Sequence, residues 1–306
     1  MAAEPTVVKK RPGRPPSKQA AKTIVNLGIV STPIDPDNVV EIKHTNVTVF
    51  TSVFAFFDKM NAVKIYVNFT PTSMVMFCRN ETKPLKSIIS INVNKLHRYF
   101  CKDPCQVHIK RDSFSKAFHS SDKNIFDLIS ISKSKMMSEK IDIEFHDPKS
   151  DRDCTHEIEL STFNSDDDLC NSLPQINPEK YPLTFTLPSV IFKKTVVDIE
   201  KITDTFSYEY MEGKNTILKV TAPRPGYNYK EKFENSKAIK LVSTLKPKDI
   251  IDCPIKISNI KPLISAISAA IKTIKICINE EGETLFITKF DGDDVVVANT
   301  ILSTSY

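Results

Sequence analysis

A few short patterns in the chain hold residue types able to do chemistry, and their spacing decides what each can do. Cys101 and Cys105 form a Cys-x3-Cys pair, but no second pair completes a tetrahedral metal site. The seven cysteines are an odd number without a Cys-x-x-Cys motif, which reads as free thiols of a reducing, intracellular setting. His156-Glu157 opens like a zinc-protease motif, yet no histidine follows at the spacing that would put two imidazoles on one helix face. Asp291-Gly-Asp-Asp294 is too short for a calcium loop and reads as a turn between strands. Asp142 and Glu144 alternate on one strand face as solvated carboxylates. The six glycines are never closely spaced, so neither a dinucleotide fingerprint nor a phosphate-cradling loop can be built. The expectation is a protein that is not an enzyme, with no catalytic residues, no metal and no cofactor.

Charge is informative through its position. The formal net charge is +5. Residues 1–23 hold Lys9, Lys10, Arg11, Arg14, Lys18 and Lys22 against Glu4 alone, so the tail accounts for the excess and the body is balanced. A balanced body that binds nucleic acid must segregate its cations onto one face. No signal peptide opens the chain, and no apolar run approaches the ~18–20 residues that span a bilayer. The expected setting is intracellular, without membrane contact.

The elements that must position any site follow from periodicity. Residues 1–23, with Pro5, Pro12, Pro15 and Pro16, read as a disordered basic tail. Residues 24–46 read as a partly ordered lead-in. A strand–helix–strand unit then recurs four times. The copies are Val47–Phe50, Thr51–Asn61 and Lys64–Phe69; Gln106–Lys110, Asp112–Ser121 and Ile125–Ser132; Leu183–Leu187, Ser189–Thr203 and Thr205–Tyr210; Pro254–Ser258, Asn259–Ile271 and Thr273–Asn279. Further strands are predicted at Met74–Cys78, Ser87–Val93, Lys140–Phe145, His156–Ser161, Ile217–Thr221, Ala238–Thr244, Thr284–Lys289 and Asp294–Ile301. Two copies precede an acidic, proline-bearing stretch at 163–182, and two follow it. The organisation is a tail (1–23), a first domain (24–162), a connector (163–182) and a second domain (183–306). The fold class is α+β, two similar domains each with two helices packed on antiparallel sheets.

This arrangement resembles the DNA sliding clamps of the proliferating cell nuclear antigen (PCNA) family over roughly residues 47–304. Leu187-Pro-Ser-Val-Ile-Phe-Lys-Lys-Thr-Val-Val-Asp-Ile-Glu-Lys-Ile-Thr-Asp204 resembles the family's third helix, and Asp112-Ser-Phe-Ser-Lys-Ala-Phe118 its second. Ala238–Thr244 is similar to a strand at the subunit boundary. The sequence also looks like the PCNA-like proteins of large cytoplasmic DNA viruses of the asfarvirus kind, through Pro12–Pro16 and Tyr181–Leu183.

The resemblance implies a DNA-clamp fold and a homotrimeric ring around double-stranded DNA. It implies a processivity factor that tethers DNA polymerase and other replication and repair enzymes. The ring would close by pairing His156–Ser161 with Ala238–Thr244 of the next copy. The compartment would be the host cytoplasm, in a viral factory, or the nucleus. Lys116, His119, Lys194 and Lys201 match the family's basic, DNA-facing positions, with Lys59, Lys193 and Lys261 as neighbours. Val197 stands where a basic residue is expected. Client enzymes would dock through short hydrophobic motifs on a pocket that includes Met74, Leu173, Ile176, Ile301 and Leu302. The tail Lys9-Lys-Arg-Pro-Gly-Arg-Pro-Pro-Ser-Lys18 looks like an AT-hook, with Arg14 in the minor groove and Lys9, Lys10 and Arg11 on phosphates. A localisation signal and a solubilising tail fit the same residues. Two rival functions stand beside the clamp: a clamp-fold viral transcription factor acting as monomer or heteromer, and a DNA-binding protein in which only the AT-hook matters.

Overall fold

A computed structural model describes residues 32–120, 126–147, 149–150, 152–161, 177, 180–211, 217–244, 253–268, 270–290 and 295–303. The tail, most of the connector and its residues Leu173 and Ile176 lie outside these. The first stretch of elements is β1 (Asn38–His44), α1 (Val47–Lys59), β2 (Lys64–Thr70), β3 (Ser73–Arg79), β4 (Leu85–Ile91), β5 (Arg98–Cys101), β6 (Cys105–Lys110), α2 (Arg111–Ser120), β7 (Leu128–Ser134), β8 (Lys140–Asp147) and β9 (Arg152–Ser161). The second is β10 (Leu183–Pro188), α3 (Ser189–Glu200), β11 (Thr205–Met211), β12 (Ile217–Arg224), β13 (Tyr227–Glu234), β14 (Lys240–Ser243), β15 (Ile255–Lys256), α4 (Ile257–Ala266), β16 (Ile271–Ile278), β17 (Thr284–Phe290) and β18 (Val296–Leu302). The two stretches run through the same order of strands and helices. A turn of 3-10 helix at Val93–Lys95 is the one addition among the described residues.

The protein is α+β, with four α-helices among the described residues and antiparallel sheets. One sheet has the order β14-β10-β16-β17-β18-β4-β3-β2-β6-β9-β8-β7-β1-β5, and a second has β13-β12-β11-β15. The two halves meet where β18 pairs with β4, from Val296 opposite Ile91 to Leu302 opposite Leu85. The ladder is locked inside by the Ser87 and Thr300 hydroxyls, 2.8 Å apart and both buried. Beneath it Phe56 of α1 meets Phe290 of β17 edge-on at 5.6 Å. One apolar core runs through both halves, and phenylalanines supply much of it. Each fully buried phenylalanine is worth about 1.5–3 kcal/mol of transfer free energy.

Several elements depart from the sequence expectation. Val47–Phe50 is the first turn of α1 rather than a strand. Its β-branched residues suggest a strand, but Val47, Val49, Phe50, Val53, Phe54 and Phe57 bury one broad helical face. The strand that precedes α1 is β1, within the stretch read as a lead-in. It carries charge into the core at Glu41, which is only 3% exposed. Arg98 Nη1 reaches Glu41 Oε1 at 2.8 Å, Asn38 Nδ2 donates at 3.1 Å, and Lys43 Nζ stands 3.5 Å away. Burial alone would raise the Glu41 pKa, but these partners outweigh it and hold it below the ordinary value.

Strand β13 is also absent from the sequence reading, because Lys230, Glu231 and Lys232 interrupt its apolar positions. The turn before it is the local signal. Pro225 fixes φ, and Gly226 takes φ +78, a value that favours glycine. At the other end of the fourth unit, α4 stops at Ala266, and Ile271 already belongs to β16.

Buried His44 closes β1. Its Nδ1 lies 2.9 Å from His97 Nδ1, and its ring meets Phe50 edge-on. One imidazole must donate and the other accept, so only one of the two Nδ1 atoms carries a proton in this contact. Burial first, and then the His97 charge, push the His44 pKa down to about 4. The unfolded chain takes up its proton near the ordinary value of ~6.5, before the folded chain can. Stability is therefore lost as pH falls from ~6.5 towards 4, by at most about 1.4 kcal/mol per pH unit from this group. Urea titrations over that window should show a steeper decline in the parent chain than in His44→Gln.

Candidate nucleic-acid interface

The helices pack as a row. α1 touches both α2 and α4, and α4 touches α3, giving the order α2-α1-α4-α3. Each helix buries its apolar stripe against the sheets and turns the other face outward. Phe54 of α1 stacks on Phe118 of α2 at 3.9 Å and tilts against Phe114 at 4.5 Å, so ring packing sets that contact. In α3, Phe192, Val196 and Ile199 are buried at helical spacing, which leaves Lys194 and Lys201 exposed. Pro188 precedes α3 without a side-chain cap, and the Ser189 hydroxyl donates instead to the Ile271 carbonyl. That bond ties the start of α3 to β16.

The outward faces carry Lys59, Arg111, Lys116, Lys193, Lys194, Lys201 and Lys261 against Asp58, Asp112, Asp198 and Glu200. Several of these cations are engaged within the protein. Lys201 Nζ pairs with Asp198 Oδ1 at 2.8 Å, which first among its partners holds the Asp198 pKa below its ordinary value. Lys261 Nζ reaches Glu200 Oε1 at 2.6 Å and links α4 to α3. Lys193 Nζ donates to the Ile267 carbonyl at 3.1 Å. Lys59, Lys116 and Lys194 make no ion pair or hydrogen bond among the described residues. The side chain of His119 lies outside them, although its backbone completes α2.

Arg111 escapes the sequence reading, which starts the second helix at Asp112. It is the first residue of α2, donates to Asn61 Oδ1 at 2.9 Å and pairs with Asp112 at 3.0 Å. Its signal was its place directly after an alternating strand. Chemically the row can make dispersed, single-point contacts to phosphates. Among the described residues of the row, Arg111 is the one guanidinium, and Asp112 and Asn61 already engage it, so orientation without sequence choice is what the lysines can provide. Val190, 74% exposed, and Val197, 39% exposed, break the polar face of α3 at the free end of the row.

The residues expected to receive clients are placed differently from the lysines. Met74 and Leu302 belong to the main core, and Ile301 packs with Tyr181, Cys277 and Leu285 in a smaller cluster. All three are buried. The open space beside Leu302 is a pocket whose lining includes Arg79, Lys83, Lys86 and Ser303. Lys9, Lys10, Arg11 and Arg14 lie outside the described residues. Among the described residues, no group of three or more histidine, cysteine or carboxylate side chains could hold a metal, and no helix is long and apolar enough to cross a membrane. Cys78, Cys101, Cys105, Cys154, Cys253 and Cys277 are free thiols.

The elements above define a doubled α+β protein with a helix row along one side. Sequence comparison then finds its similarity among viral proteins. The chain is a homologue, over nearly its full length, of an uncharacterized protein of African swine fever virus. It is 27% identical to the protein of the Vero-adapted Badajoz 1971 strain over 300 residues, covering 96% of this chain and 99% of the relative. It is 28% identical to the protein of the Kenyan pig isolate over 297 residues, covering 96% and 97%. No family model matches the chain.

Proposed function

We propose that this chain is a PCNA-like sliding clamp: a homotrimer that encircles duplex DNA and tethers DNA polymerase and other replication and repair enzymes to it. The observation that carries this reading is the internal repeat with one joint used and its equivalent open. Within the chain the last strand of the second half, β18, pairs with the fourth-in-order strand of the first, β4, and α1 packs on α4 above that joint. The equivalent elements are β9, β13, α2 and α3. Among the described residues, β13 pairs only with β12. β9 pairs fully with β8, but on its other side only through Leu160 and Ser161. Joining β9 of one copy to β13 of the next repeats the internal joint head to tail, and such an operation closes when its rotation fits. It also covers two edges otherwise open to aggregation.

The ladders within the chain support one register for this joint. From Ile42, residues Ile131, Ile143 and His156 lie in line across the first half. Taking Phe185, the middle inward residue of β10, as the counterpart of Ile42, the middle one of β1, the line is Ile276, Phe286 and Thr300. His156 thus corresponds to Thr300. Starting from β2 and β11, the same tracing makes Ser87 correspond to Tyr229. Thr300 pairs with Ser87 inside the chain, so His156 would pair with Tyr229 of the next copy. Asp153 then faces Lys232, Thr155 faces Lys230, and Glu157 sits diagonal to Lys230. Unlike charges meet along the joint, which favours this pairing. The partner of β9 moves from Ala238–Thr244, as the sequence suggested, to β13. Exposed Val190 and Val197 of α3 would pack beside α2 of the neighbour, as α1 does on α4.

Copies joined this way continue the helix row around the inside. Weak phosphate contacts from Lys59, Lys116 and Lys194 would orient DNA, and encirclement would supply retention. Fluorescence anisotropy on duplexes across a salt series tests this. Affinity should not depend on duplex sequence. Combined Lys59→Ala, Lys116→Ala and Lys194→Ala should weaken binding and flatten the dependence on log salt by about 0.9 for each phosphate no longer neutralised. An unchanged slope would remove the helix row from the interface.

A further inference from the structure

Strand β9 carries a thiol and an imidazole on the face it turns to the core. Cys154 packs against the main core, and His156 meets the buried Phe145 ring edge-on at 6.0 Å. Strand alternation puts the two on one face, with Asp153, Thr155 and Glu157 exposed on the other. Cys154 Sγ and His156 Nε2 stand 3.3 Å apart. Tetrahedral zinc, about 2.3 Å from sulfur and about 2.0 Å from nitrogen, needs about 3.5 Å between two such donors. The pair is thus spaced as half of a metal site. Within one chain, no third histidine, cysteine or carboxylate joins it among the described residues.

Strand β13 holds a carboxylate in waiting. Thr195 Oγ1 of α3 and Tyr229 Oη both donate to Glu231 Oε2 at 2.9 Å. The Tyr229 phenol stays a donor, because burial first, and then the Glu231 carboxylate beside it, push its pKa up to about 12. Two neutral hydroxyls therefore orient Glu231, yet no cation pairs with it among the described residues, and Oε1 takes no hydrogen bond there. In the joint proposed above, His156 faces Tyr229 of the next copy. Two residues along the antiparallel ladder, Cys154 faces Glu231 of that copy. Both lie on the face turned to the helices, and residues directly opposite bring their Cβ atoms to about 4.5–5.5 Å.

We propose that each joint binds a zinc ion through Cys154 Sγ and His156 Nε2 of one copy and Glu231 Oε1 of the next, with water in the fourth position. Binding releases the thiol proton to solvent and leaves a thiolate on the metal, and no electrons move. Tyr229 and Thr195 are positioning residues that hold the carboxylate towards the ion. The site rests on the reading of the chain as a ring with this register, and it adds a regulator to that ring. Its donors come together only in the joint, so zinc at a hundred times its Kd should tighten each joint about a hundredfold.

The test uses the full chain, kept reduced, with cobalt(II) as a spectroscopic probe and zinc in assembly measurements. Cobalt should give a thiolate-to-metal charge-transfer band that zinc removes. On dilution, light scattering should show copies staying joined to lower concentration in zinc than in EDTA. Cys154→Ser should abolish the band, and Glu231→Gln should weaken cobalt binding about tenfold or more. At a cobalt concentration where neither variant alone gives the band, a mixture of the two should give it. Joints between the two kinds of chain unite an intact Cys154 and His156 with an intact Glu231. Equal assembly in zinc and EDTA, or a band that survives Cys154→Ser, would overturn the metal site and leave the ring standing. A band unchanged by Glu231→Gln, or absent from the mixture, would overturn the shared site in the same way. Copies that stay single in both zinc and EDTA would sink the ring reading, and this inference with it.

Discussion

Replacing Lys232 with Glu should break the assembly into single chains. In the joint inferred from the internal repeat, Lys232 faces Asp153 of the next copy, and Lys230 lies beside Glu157. The substitution sets two carboxylates opposite each other at every joint of the ring. Like-charge juxtaposition at an interface costs several kcal/mol, and the cost recurs at each joint. The fold itself should be unharmed. Lys232 sits opposite Lys219 within β12–β13, so the new carboxylate removes a repulsion inside the chain. Sedimentation velocity should show one species at the 34.6 kDa protomer mass. Adding Asp153→Lys reverses the pair and should restore the larger species. Asp153 also contacts His146 within its own chain, so Asp153→Lys alone should show a small loss of stability beside its loss of assembly. If the double charge reversal failed to restore assembly while each single variant abolished it, the register would be wrong.

Phe56→Ala should cost about 3–5 kcal/mol of folding stability. The ring is 1% exposed and packs against Phe57 and, across the joint between halves, against Phe290. The cavity cannot collapse easily, because α1 is pinned on both sides by α2 and α4. A loss of that size is a large share of the roughly 5–15 kcal/mol by which most folded proteins are stable. The core is continuous through both halves, so the whole unfolding transition should move to lower urea, and far-ultraviolet circular dichroism and tyrosine fluorescence should move together. Separate transitions by the two probes would mean that the halves unfold independently and that the β4–β18 joint contributes little.

How much of this was legible in the sequence depends on whether local pattern or distant pairing decides the element. The third helix was readable because Phe192, Val196 and Ile199 fall on one stripe directly after Pro188-Ser189. The first helix was readable only from its second turn, since Val47–Phe50 satisfies strand propensity and helical burial alike. Tertiary packing against the sheets settled it. β1, β5 and β13 were not legible: β1 buries Glu41 through partners 57 residues away such as Arg98, and β13 alternates tyrosine with charge. The sequence places the lysines of the helix row on or beside helices, but it does not show their partners. Glu200 and Lys261 are 61 residues apart, and only the packing of α3 on α4 brings them together. The same limit applies to Arg79 and Lys86. A hairpin register decides that they stand opposite each other, and nothing in the spacing alone fixes that register.

The central claim is that copies of this chain repeat their internal joint between themselves and close into a ring of three. Light scattering on the full-length chain over a concentration series measures this directly. The account predicts a mass three times the 34.6 kDa protomer, unchanged when residues 1–23 are removed. A stable monomer at micromolar concentration would contradict it.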